Sequence, residues 1–79
     1  MKRYYFDLID SNGIVVDDEG MDLADIEAAQ DEAARSLADF ARGALRSSPA
    51  APADMAVEVR TDAGAVMRVK FSFEIERTN

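Results

Sequence analysis

The chain has no cysteine and no histidine. Without cysteine there is no disulfide framework, no thiolate nucleophile and no thiolate zinc site. Without histidine the usual general base, imidazole metal ligand and triad partner are missing. Ser36, Ser47, Ser48 and Ser72 have no activating partner in the pattern, and neither a GxGxxG fingerprint nor a phosphate-binding P-loop occurs. The expectation is a protein that is not an enzyme, with no catalytic residue and no cofactor or metal needed for folding. Basic residues are also scarce, nine Lys+Arg against sixteen Asp+Glu, for a formal net charge of −7. That charge repels nucleic acid and anionic membranes at long range, so a nucleic-acid partner would need a local basic patch. Nowhere does the sequence approach the roughly 18 apolar residues of a membrane span, and "MKRYYFDLID" has no apolar core of a signal peptide. No membrane role is expected, and the expected compartment is the cytoplasm.

What is present is the composition of a folded chain: 79 residues, 48% hydrophobic and 32% charged. This length suits one domain spanning 1–79, with roughly 40% of the unfolded chain's surface left in water. A thin core with no covalent staple must rely on packing or on oligomerisation. Self-association, such as a dimer, is therefore expected.

In "KRYYFDLI" Tyr4, Phe6 and Leu8 alternate with Arg3, Tyr5 and Asp7, the period of a strand with one buried face. "IVVD" after Gly13 reads as the return strand of a hairpin. From Asp25 to about Arg46, Ile26, Ala29, Ala33, Leu37, Phe40, Ala41 and Ala44 recur every three or four residues and form one helical stripe. Asp25 is the expected cap, with Asp22 as second choice. "SSPAAPAD" at 47–54 stops the helix and forms a loop. "MAVEVR" and "VMRVKFSFEIE" then flank "TDAG" as a second hairpin. With Gly64 in the left-handed position of a three-residue loop, the pairs are Val59 with Met67, Glu58 with Arg68, Val57 with Val69 and Met55 with Phe71.

The expected fold is thus α+β, a β-β-α-β-β chain with one helix on one face of a four-stranded sheet. A helix of about 22 residues is about 33 Å long and crosses the sheet once. The second and third strands should then be parallel to each other, as should the first and fourth. Because the fourth strand continues its alternation through Phe73 and Ile75, beyond the reach of a short third strand, its spare backbone groups call for another neighbour. The first strand fills that place in a sheet of order 2-1-4-3, and the rival is a strand of another chain. The expected core holds Tyr4, Phe6, Leu8, Leu37, Phe40, Val57, Val69, Phe71 and Phe73.

The stretch "IDSNGIVVDDEG" is rich in side-chain oxygens, as an ion-binding loop would be. Numbered as a calcium loop from Asp10, however, its glycine falls at the fourth place, and Ile14 and Val16 stand at the fifth and seventh, where oxygens are needed. Asn12-Gly13 instead signals a hairpin, with Asp10 bonding the turn's backbone. That hairpin brings Asp7 near Asp17, with Asp18 and Glu19 following. Facing carboxylates invite a cation, but the favoured reading is a solvated strand end. On the uncovered sheet face Tyr5, Arg60, Arg68 and Lys70 form a conceivable partner surface, of the kind that stacks single-stranded nucleic acid. Glu58, Glu74 and Glu76 share that face, and the favoured reading is a salt-bridged solvent face.

Taken together, "RYYFDLIDSNG", "DDEG" and "LADIEAAQDEAARSLADFA" resemble a family of small uncharacterised bacterial proteins known as a domain of unknown function. Its members look like "RYYFDL", a D-x-x-G turn, an acidic D-x-x-G and an Ala-rich helix. The resemblance extends to "VKFSFEIER" and implies a fold without an activity, ligand or site. More remotely, the hairpin followed by "DIEAAQDEAARSL" looks like the HicB-type antitoxin domain, which implies a toxin-masking role. The resulting expectation is a non-catalytic protein-interaction or regulatory module. The alternative is an antitoxin-like or nucleic-acid-associated protein using the open sheet face.

Overall fold

The alternation in "RYYFDL" becomes strand β1 (Lys2–Asp10), which buries Tyr4 and packs Phe6 and Leu8 against the core. The computed structural model describes residues 1–48 and 53–78, so Pro49 and Pro52 of the expected loop lie outside the described residues. The described chain continues through β2 (Gly13–Val15), β3 (Met21–Leu23), α1 (Ile26–Ser47), β4 (Ala53–Thr61) and β5 (Gly64–Phe73). This is an α+β fold, one helix against a five-stranded antiparallel sheet. No helix among the described residues is long and apolar enough to cross a membrane.

The sheet runs β2-β1-β4-β5, with β3 also paired to β1. β2 lies against Leu8–Asp10 and β3 against Lys2–Tyr4, so one edge of β1 is covered at its two ends and left open between them. The expected strand directions hold, but the expected order does not: the strand after the helix, and not the last strand, lies beside β1. Two physical facts account for the difference. β4 is nine residues long and pairs as far as Ala53 with Phe73, so β5 has no spare length in need of a second neighbour. β4 also buries Met55, Ala56, Val57 and Val59, including residues from both of its faces, which suits a central strand. Beyond Phe73 the chain leaves the sheet, and Ile75 is exposed.

The second hairpin has the expected register. Val59 faces Met67, Glu58 faces Arg68, Val57 faces Val69 and Met55 faces Phe71. The loop is shorter than the expected three residues: Thr61 pairs with Gly64 at φ +121°, leaving Asp62 and Ala63 between the strands, and a bulge beside Val59/Arg60 takes up one extra residue of β5.

Helix α1 is capped by Asp25, whose Oδ1 accepts the Ala28 amide at 2.8 Å. Asp22, the second choice, lies in β3 and pairs with Arg3. The stripe buries Ala29, Ala33, Leu37 and Ala41, while Ile26 at its start is exposed. Three alanines at that interface let the helix lie close to the sheet, where it packs chiefly on β4 and β5. The core is therefore built around Tyr4, Leu37, Met55, Val57 and Val59 with these alanines. Phe6, Leu8, Phe40, Val69 and Phe71 are half-buried around it, and Phe73 is half-buried outside that cluster.

Candidate functional site

Between β2 and β3 the middle of β1 has no strand partner on that edge, and the turn Asp17–Gly20 fills the gap. Asp17 stands in for the missing strand: its Oδ2 accepts the Phe6 amide at 3.0 Å, while its own amide donates to Asp7 Oδ1 at 2.9 Å. Its Oδ1 accepts the amides of Glu19 and Gly20, each at 3.1 Å, which folds the turn on itself. Gly20 has φ +74°, and a Cβ there would lie 2.9 Å from the Tyr4 carbonyl oxygen and from the Tyr5 ring. Only glycine allows that approach.

Two arginines clamp the turn from opposite sides. Arg3 Nη1 donates to the Glu19 carbonyl at 2.6 Å, while its Nε and Nη2 reach the two oxygens of Asp22 at 3.1 and 3.2 Å. Arg60 Nη2 donates to the Asp17 carbonyl at 2.7 Å, and its Nε donates to Asp7 Oδ2 at 2.9 Å. The Arg60 guanidinium carbon lies 4.5 Å from the centre of the Tyr5 ring, a cation–π contact.

Partial burial pushes the Asp17 carboxyl up, but the amides of Gly20, Phe6 and Glu19 and the Arg60 charge outweigh it and hold it below its ordinary value. The Arg60 guanidinium is held more firmly protonated than usual, first by its hydrogen bond to Asp7, with burial opposing and the charges of Asp7 and Asp17 adding.

The facing carboxylates thus do find a cation, and it is a side chain of this chain. Asp17 is half-buried and hydrogen-bonded at both oxygens rather than part of a solvated strand end, and beside it the buried Asp7 pairs with Arg60, which β4 places directly across from Tyr5. Asp18 and Glu19 are exposed, as expected of a strand end. Every oxygen of the Asp7 and Asp17 carboxylates accepts an internal hydrogen bond, so the arrangement works as a tie. Among the described residues no group of three or more acidic side chains is placed to hold a metal ion.

Tyr5, Arg60, Arg68 and Lys70 do share the sheet face without the helix, but not as a set of free groups. Arg60 is committed to Asp7 and lies over Tyr5, and Arg68 donates to Glu58 Oε2 at 2.6 and 3.2 Å. Lys70 is exposed.

A second feature lies on the opposite face, in an open groove of about 580 Å³ between the second half of α1 and β5. Leu37, Ala41 and Leu45 of the helix and Val69 and Phe71 of β5 line it with apolar surface, and Arg42 and Arg46 rim it. Arg42 makes one exposed contact, 3.4 Å to Asp39. The sequence pattern did not single out this groove. A trace of it was present in the four-residue spacing of Leu37, Ala41 and Leu45, which widens the apolar stripe toward one side.

The model of a family described as a domain of unknown function, DUF6894, matches residues 3–72. No curated protein and no solved structure matches the chain.

Proposed function

The chain belongs to the DUF6894 family, whose function is unknown, and on that premise we propose that it is a non-catalytic protein-binding module whose site is the groove between α1 and β5. The observation that carries this reading is the groove's composition. In a chain of net charge −7, an apolar floor is rimmed by Arg42 and Arg46, beside the outer strand of the sheet. An extended segment laid along β5 would gain main-chain hydrogen bonds from the edge and side-chain burial from the floor. Cations at the rim select an acidic segment and speed its approach. The nucleic-acid reading has less support, because Arg60 and Arg68 on the open face are paired within the chain.

The test is capture of binding partners at moderate salt with the wild-type chain and with Leu45→Glu, checked for a native circular dichroism spectrum. A protein bound by wild type and lost by the variant supports the reading. Equal capture by both rejects it. Salt-sensitive capture of RNA or DNA that is lost in Lys70→Glu moves the case to the open sheet face.

A further inference from the structure

We infer that the groove's occupant is the β2 edge of a second copy of this chain, which adds to β5 and continues the sheet head to tail. This rests on the groove being the protein-binding site. The two outer edges of the sheet differ in character and match each other. At the β5 edge lies the apolar groove with its rim of Arg42 and Arg46. At the other edge Ile14, Val15 and Val16 are 62, 67 and 62% exposed, and the exposed acids Asp18 and Glu19 follow directly. An apolar strand flanked by acids thus faces away from the molecule at one end, and an apolar groove flanked by bases opens at the other.

Strand direction and facing agree with this. β2 runs antiparallel to β1, as does β4, and β5 runs antiparallel to β4, so β2 and β5 point in opposite directions. A copy placed beside the first in the same orientation therefore offers β2 antiparallel to β5, with both helices on the same face. Val15 is opposite Leu8 and so shares the helix face with Val69 and Phe71. In the added strand it points into the groove. The helix packs chiefly on β4 and β5, which leaves Val15 uncovered in its own copy and overhangs the place the neighbour's Val15 would take. The contact is heterologous, so it grows stepwise unless the rotation between copies closes a ring.

Light scattering across a hundredfold concentration range, on wild type, Val15→Asp, Leu45→Asp and an equimolar mixture of the two variants, tests the inference, with circular dichroism as the folding check. Wild type should gain mass with concentration, and each variant alone should stay a monomer. The mixture should form a 1:1 pair and stop, because Leu45→Asp retains a sound β2 edge and Val15→Asp a sound groove. Arg46→Glu, an exposed substitution, stands in should Leu45→Asp fail to fold. A mixture that stays monomeric while wild type associates would overturn the head-to-tail geometry in favour of a symmetric contact. Strictly monomeric wild type overturns the second-copy occupant altogether. If Leu45→Glu nonetheless loses a captured protein, the groove remains the site and its occupant is a foreign acidic segment.

Discussion

Asp10-Ser11-Asn12-Gly13 and Asp17-Asp18-Glu19-Gly20 have the same D-x-x-G form and begin folding in the same way. In each, the aspartate's Oδ1 accepts the amide two residues on, at 2.8 Å for Asn12 and 3.1 Å for Glu19, and the glycine has positive φ. Their surroundings then separate them. Around Gly13 no atom lies within 4 Å of where a Cβ would be, whereas Gly20 is pressed against the Tyr4 carbonyl and the Tyr5 ring. Asp10 serves its own turn, while Asp17 also takes the Phe6 amide and sits beside the Asp7–Arg60 pair. A four-residue motif therefore specifies the turn, and the sheet decides whether that turn is a surface loop or a tie.

The largest contrast should come from the glycines. Gly20→Ala places a methyl against backbone at positive φ and should cost about 2–4 kcal/mol, combining left-handed strain with overpacking. Gly13→Ala meets strain alone and should cost about 1–2 kcal/mol. Denaturant unfolding of the two variants measures the difference, and equal losses would remove the docked turn from the fold.

Next come the aspartates. Asp17→Ala leaves the half-buried Phe6 amide without its acceptor and opens the turn, for about 1–2 kcal/mol, since water can reach part of the site. Asp10→Ala loses one exposed contact and should cost under about 1 kcal/mol. Melting temperatures in the same order would agree, and a reversed order would not.

Acid sharpens the same comparison. The Asp17 carboxyl titrates lower in the folded chain than in the unfolded chain, so its ionised form favours folding. That stability is fully present above the ordinary aspartate value of about 4 and is lost as pH falls through the lower folded value. The gap between wild type and Asp17→Asn, followed by denaturant unfolding, should hold steady from neutral pH down to about 5 and close below about 4. A gap that widens in acid contradicts the lowered carboxyl.

Elements with a long, regular period were legible in advance. The register of the second hairpin followed from apolar residues facing apolar and Glu58 facing Arg68, and the Asp25 cap followed from the start of the helical stripe. The strand order was not legible, because it depended on the length of β4, whose first residues Ala53 and Asp54 carry no clear period next to the prolines. Nor was β3, since Met21–Leu23 is too short for alternation to show. The tie around Asp17 depended on both. Asp7 and Arg60 stand 53 residues apart and meet only once β4 lies beside β1. Tyr5, Arg60, Arg68 and Lys70 lie on one face of the sheet, while the groove escaped notice because it arises from where the helix sits across the sheet.

The smallest stability effect should come from exchanging the middle of one turn for that of the other. In Asp18→Ser with Glu19→Asn the second turn takes the sequence of the first. Both side chains point to solvent, and residue 19 contributes its amide to Asp17 and its carbonyl to Arg3, groups that any residue supplies. Folding stability should therefore stay within about 0.5 kcal/mol of wild type. The same double variant removes two acids beside the exposed β2 strand, so it should weaken self-association while leaving the melt unchanged. A large loss of stability would mean that Asp18 or Glu19 holds the turn itself. An unchanged melt together with unchanged association would instead confine the recognition to the apolar contacts of Val15.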